Sequence, residues 1–309
     1  MPSLVGSEMC IRDRVLTINL ETLAYVTFEG HLPAATSITR FFVTEDHVFV
    51  AGWANKKPMM TLIDLKSGGV DNIELPKDFS IHSFSKSSDN NVFIILKSIF
   101  DKKELEIEYR LWEYSKHGEK QLETMLFSKE EGFFINNINI VHEKEKGKFL
   151  VFGAFVSHKK HQLQGVYSLV IDDRTKQREK FNKYDFYDYK HFFDPLKISK
   201  RNHRLPVLQK EYTKRDKLNY LFTFQDLIQN DKGYLLIGEV FFPHFSKDKG
   251  HFRGNLYTHA VLSFFNKNGE LVWDNLFEMD IQTPIKVQNT FLTTNLTSEK
   301  LDVISYDDG

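Results

Sequence analysis

One motif recurs along the chain and limits what it can fold into. It is an apolar strand, a polar turn and a second strand. The copies are LTINLETLAYVTF (16–28), MTLIDLKSGGVDNIEL (60–75), YRLWEYSKHGEKQLETMLF (109–127), YSLVIDDRTKQREKF (167–181) and AVLSFFNKNGELVWDNLFEM (260–279). Asn19, Asp64, Glu113, Asp172 and Asn266 sit just before the turns, 45, 49, 59 and 94 residues apart. Lys-Ser-Gly-Gly, Lys-His-Gly-Glu and Lys-Asn-Gly-Glu are hairpin chemistry, because Gly and Asn tolerate the positive φ of a tight turn. Upstream of four hairpins lies a second pair of short strands: 41–53, 84–98, 138–155 and 227–241. Each ends in a dense apolar run, the mark of a strand buried on both faces. Gly52, Gly153 and Gly238 end that run in three copies, which points to close backbone approach.

Four short strands per unit, repeated every 45–60 residues, predict an all-β fold. A single four-stranded blade leaves two faces uncovered, so neighbours must stack. The fold read from this pattern is a β-propeller-like array of four-stranded blades. A stacked β-sandwich or irregular β array is the alternative. The pattern starts mid-unit near Val15 and stops mid-unit at LDVISYDDG, so the array reads as truncated at both ends. The 94-residue interval carries about 45 extra residues over a normal repeat. They are placed at approximately Arg178–Leu221 as a basic, aromatic and partly helical insertion, with a short helix over Gln209–Leu221. From Arg174 to Tyr220 there are 14 Lys or Arg against 6 Asp or Glu.

The first 14 residues read differently. A transposase adapter used in library preparation translates in one frame as Leu-Val-Gly-Ser-Glu-Met-Cys-Ile-Arg-Asp, identical to Leu4–Asp13. Residues 1–14 are therefore taken as a non-native segment, expected to be unpacked coil, and 15–309 as the repeat domain. The only cysteine, Cys10, falls in that segment. Val15 onward then has no thiol for disulfide, nucleophile or metal. The native N-terminus is missing on this reading. A periplasmic, envelope-associated or secreted location is expected, with a cytoplasmic one as the alternative.

Composition excludes some classes. A net charge of -1 gives no overall attraction to nucleic acid, and no sequence-specific nucleic-acid binding is expected. No apolar run is long enough for a transmembrane helix. Nucleophile elbows, P-loops and dinucleotide fingerprints are absent. Asp172-Asp173 and Asp307-Asp308 read as turn residues.

The candidate binding residues are Glu239, His244, His259 and Trp273. Glu239 and the histidines, with His251, carry zinc-type donors, but the histidine spacings of seven and eight fit no ligand pattern, so no metal is expected. NGELVWDN (268–275) resembles the Gly-x-x-x-Trp docking motif of quinone-dependent propeller dehydrogenases. It occurs once, so no cofactor is implied and Trp273 is read as a core anchor of its blade.

FQDLIQNDKGYLLIGEVFFP and YTHAVLSFFNKNGELVWDNLFEM, with the closing strand, carry one further likeness. The segment from Phe222 to Gly309 resembles uncharacterised bacterial proteins with propeller-like repeats. The resemblance implies the fold and brings no activity. The expected function is non-catalytic binding or scaffolding, with a protein or polyanion engaged through the basic insertion. The alternative is a hydrolase or lyase with its site in an axial channel, built from residues of several blades. Oligomeric state is not legible.

Overall fold

A computed structural model describes residues 12–18, 25–31, 36–86, 91–99, 107–132, 134–156, 163–189, 192, 221–225, 227–245, 252–283, 292–296 and 301–305. The fold is all-β and propeller-like. Two compact units divide the chain, Met1–Gly132 and Phe133–Gly309. The first unit opens with a hairpin of β1 (Arg12–Ile18) and β2 (Tyr25–His31). Two four-stranded antiparallel blades follow. One is β3 (Thr36–Val43), β4 (His47–Ala54), β5 (Lys57–Asp64) and β6 (Val70–Ile73). The other is β7 (Phe79–Lys86), β8 (Val92–Ser98), β9 (Tyr109–Tyr114) and β10 (Lys120–Phe127).

The second unit has a blade of β11 (Phe134–Glu143), β12 (Lys148–Val156), β13 (Leu163–Asp172) and β14 (Arg178–Asp185). Its other large sheet has five strands. β15 (Leu221–Phe224) and β16 (Ile228–Gln229) both pair with β17 (Gly233–Phe245), followed by β18 (Phe252–Asn266) and β19 (Leu271–Thr283). They act as one first strand in two pieces. β20 (Leu292–Leu296) and β21 (Leu301–Ser305) form a final hairpin.

The dense apolar runs are the second strands of the blades. Phe93–Leu96, Phe149–Phe152 and Tyr234–Ile237 are buried throughout, because both faces of a middle strand are covered. The turns after the third strands share one device. Asp64 Oδ1 accepts from the Lys66 and Ser67 amides, Asp172 Oδ1 from Arg174 and Thr175, and Asn266 Oδ1 from Asn268 and Glu270. In the β9–β10 turn the equivalent oxygen belongs to Ser115, which accepts from His117 and Glu119. Glu113, two residues earlier, does not hold that place. Asp172 is thus a turn residue, as expected; Asp307 and Asp308 lie outside the described residues, as does Asn19.

Two of the three glycines that close the apolar runs, Gly52 and Gly153, face a close backbone, whereas Gly238 faces the Phe222 and Phe224 rings. A Cβ on Gly153 would stand 2.0 Å from the Asn137 carbonyl oxygen and 2.8 Å from the Tyr167 hydroxyl. One on Gly52 would stand 2.2 Å from the Ser37 carbonyl oxygen. Neither obstacle at the first strand is a flexible side-chain tip. Gly153→Ala is therefore expected to cost about 2 kcal/mol by overpacking, read as a lower denaturation midpoint. A midpoint unchanged from wild type would show that β11 moves aside freely.

Within each unit, neighbouring blades meet through a repeated contact. The turn after the third strand of one blade lies on the third strand of the blade before it. Gly118 approaches Leu62, and Gly269 approaches Val170 and Ser168. Leu62 and Val170 each stand two residues before their turn's Asp, so the contact repeats position for position. In the first unit His47 Nδ1 and the Lys116 carbonyl oxygen are 2.9 Å apart. In the second, the Ser168 hydroxyl donates to the Gly269 carbonyl, joined there by Asn182 Nδ2 at 3.3 Å. Around these seams lie aromatic rings: Phe49 with Phe84 and Tyr114, and Phe152 with Tyr234 and Phe265.

Three sequence expectations change. Arg178–Asp185 belongs to β14, the outer strand of its blade, and not to the insertion. Arg12, Asp13 and Arg14 pair with His31, Gly30 and Glu29, so the end of the adapter-like segment is strand and not coil. Ladder bonds use the backbone and accept residues of any origin. At the other end of the insertion, Leu221 is in β15; the rest of the expected helix lies outside the described residues. Among the described residues the helices are single 3-10 turns, and no helix is long and apolar enough to cross a membrane.

Candidate functional site

The candidate residues gather on the five-stranded sheet of the second unit. Its first strand breaks between β15 and β16, and Gln225 sits in the break. The Gln225 backbone N–H donates to the Ile237 carbonyl at 3.0 Å, and its side-chain Nε2 donates to Glu239 Oε1 at 2.9 Å. Glu239, at 0% exposure, is the buried carboxylate of this sheet. A buried polar side chain needs such a partner.

Register separates Glu239 from His259. Glu239 lies opposite Ala260 and Thr223; His259 lies opposite Val240 and Glu278. Residues directly opposite share a face, and successive residues alternate. Glu239 therefore faces the cluster of Ile237, Phe241 and Ala260, while His259 is on the other side. Ring contacts agree. The His259 ring meets Phe192 edge to face at 5.4 Å, and Phe192 stacks toward Phe222, the neighbour of Val240. The two residues share a sheet without sharing a pocket.

His259 is fully buried. Burial alone pushes its imidazole down to about 3, so the ring is neutral at ordinary pH. Nδ1 is 2.9 Å from the Thr258 hydroxyl oxygen, and Nε2 has no partner among the described residues.

The cover on this face is the start of the insertion. Asp185 accepts from the Tyr187 amide at 3.0 Å and opens a single turn over Phe186–Asp188. Phe186 then stacks on Phe192 at 4.4 Å and on Phe222 at 5.3 Å, with rings within 8° and 7° of parallel. Tyr189 and Ser263 hydroxyls are 2.9 Å apart, and burial pushes the Tyr189 phenol up. Phe186, Tyr189 and Phe192 recur every third residue. That spacing was the available signal for a packed stem.

The other candidates stand apart. His244 is opposite Gly254, five residues along β17 from Glu239, or about 17 Å of strand. Trp273 is on the edge strand β19, stacked on Phe264 at 5.4 Å and 36% exposed. It packs on a ring of the sheet's core cluster from the edge, with part of its own surface exposed. No group of three metal-type donors forms among the described residues.

Sequence reasoning also missed the polar seam beside this sheet. Glu143, on β11, accepts from the Tyr234 hydroxyl and lies 3.4 Å from Lys267 Nζ. Burial raises its carboxyl, but the Tyr234 bond and the Lys267 charge hold it below its ordinary range. The Lys267 ammonium also lies over the Tyr234 ring at 4.5 Å. These contacts hold blades together and leave the carboxylate engaged.

No family model matches the chain, and no curated protein does. Among solved structures it is similar to the Dos1 propeller, at 9% identity and TM-score 0.42, covering 86% of this chain and 51% of that one. It is similar to a Bacteroides caccae protein of unknown function at 12% identity and TM-score 0.30, covering 85% and 90%. TolB from Acinetobacter baumannii matches at 11% identity and TM-score 0.34, covering 86% and 60%. The chain thus spans about half the length of the Dos1 propeller chain, and function has to be read from its own residues.

Proposed function

We propose that residues 15–309 work as a non-catalytic binding scaffold, with the basic insertion as the arm that takes an acidic partner. The adapter-like residues 1–14 stay outside the working chain. One observation carries the reading: the insertion's two ends are tied to each other on the sheet. Phe192 at one end and Phe222 at the other have rings 6.5 Å apart and nearly parallel, both stacked with Phe186. A segment with joined, packed ends can change without disturbing the blades. Residues 193–220 carry eight Lys or Arg against three Asp or Glu, a charge that suits an acidic protein surface. An envelope, periplasmic or secreted setting belongs to the same proposal.

The test uses the full chain and labelled poly-L-glutamate, read by fluorescence anisotropy. Wild type should bind, and added salt should weaken the binding. Replacing Lys197, Lys200, Arg201 and Arg204 by Glu should lower affinity at least tenfold, about 1.4 kcal/mol, at unchanged melting temperature. No binding by wild type, or equal binding by the variant, would overturn the proposal.

A further inference from the structure

The stem of the insertion sits over a buried imidazole with one nitrogen left over. The His259 backbone is in ladders on both sides, opposite Val240 on β17 and Glu278 on β19. The sheet therefore holds the ring in place, and water reaches it when the cover moves. Nδ1 has the Thr258 hydroxyl, and Nε2 has no partner among the described residues. An imidazolium would present two N–H donors here to one acceptor, in a site that excludes water.

The cover is slight beside the sheet beneath it. It is one turn, closed by the Tyr187 amide on Asp185 Oδ1 at 3.0 Å and the Tyr189 amide on the Phe186 carbonyl at 3.3 Å. Three side chains fasten it: Tyr189 at the Ser263 hydroxyl, Phe186 on the Phe222 ring, and Phe192 edge-on to the His259 ring itself. β18, by contrast, is paired along most of its length on both sides. Segments with few contacts open locally while the ladders under them stay closed. Lifting the stem wets His259 without breaking a strand pair.

The titratable groups that neighbouring described residues bring to this side are these. Asp185 and Tyr189 come with the stem, and Tyr184 precedes them on β14. Asp274 and Glu278 of β19 lie opposite Ser263 and His259, and Tyr234 is six residues along β17 from Val240. Burial alone, and none of these groups, pushes the His259 imidazole down.

We propose that the stem formed by Phe186, Tyr189 and Phe192 is an acid-sensitive latch, because His259 accepts a proton from water only when the stem has lifted off the sheet. Acid thus frees the start of the insertion while β17, β18 and β19 stay paired. Linkage sets the size of the effect. With the stem open the ring titrates at its ordinary 6.5, and with the stem closed at about 3. Between those values the open population rises about tenfold for each unit the pH falls. The latch stands whether or not the arm takes an acidic partner, since the stem's own amides report it.

The experiment is residue-resolved amide hydrogen exchange of the full chain between pH 7.5 and pH 4.5, corrected for the intrinsic exchange rate at each pH. The Tyr187 and Tyr189 amides should lose protection about a hundredfold across this range. At every pH they should be less protected than the Val261 and Leu262 amides in the middle of β18. In His259→Leu the stem's protection should stay constant within about twofold. Asp185→Asn keeps an oxygen for the Tyr187 amide but does not titrate, and it should show the wild-type slope. Three results would overturn the latch: a flat response in wild type, equal protection in stem and β18, or a slope that survives in His259→Leu or is lost in Asp185→Asn. If His259→Leu does not fold, wild type and Asp185→Asn decide.

Discussion

Phe152→Ala is expected to lower the stability of the second unit by about 4 kcal/mol, the range for deleting a fully buried ring. Phe152 is at 0% exposure in the middle of β12. Its ring packs at a tilt, 5.0 Å from both Tyr234 and Phe265 of the neighbouring sheet, and Phe265 continues to Tyr184 at 5.9 Å. The cavity would thus open at the seam, between two rigid sheets that cannot collapse into it. Polar contacts at the same seam are worth less. Lys180 and Glu270 are 2.6 Å apart but about half exposed, and such pairs contribute under about 1 kcal/mol. Urea denaturation of the two alanine variants separates these terms. Phe152→Ala should shift the midpoint several times more than Lys180→Ala. Equal shifts would mean that ring stacking does not hold these sheets together.

The strand pattern was legible because burial leaves a mark in sequence. Phe93–Leu96 and Phe149–Phe152 are apolar at every position since neither face meets water. Outer strands carry no such mark. β14 reads REKFNKYD with no fully buried residue, and nothing in it separates a strand from an insertion. The turns were legible where Asp or Asn supplied the oxygen. Ser115 supplies it in one blade, and its hydroxyl reaches the same amides with a side chain that does not advertise a turn as strongly.

Sites were harder for a different reason. Glu239 and His259 are both buried, yet a one-residue register difference sets them on opposite faces. The insertion's aromatics carry their own signal, one at every third residue: 186, 189 and 192.

Acid should expose the buried histidines in a window of their own. His259 titrates at about 3 in the folded chain, from an ordinary value of 6.5. Between those values the unfolded chain binds a proton that the folded chain refuses. Stability therefore falls as pH drops below 6.5, at about 1.4 kcal/mol per unit, or about 3 kcal/mol by pH 4.5. His82, at about 4, adds to the same slope. Carboxylates such as Glu143 and Asp173 work lower. Their folded values are held below the ordinary range, so their contribution is present above about pH 4.5 and lost beneath it. The window from 6.5 to 4.5 thus belongs to histidine. Urea midpoints across it should fall steeply for wild type and less steeply for His259→Leu, whatever that variant's stability at pH 7. Parallel slopes would mean that the folded His259 accepts a proton with ease, and that the cover of Phe186, Tyr189 and Phe192 does not keep water from its face of the sheet.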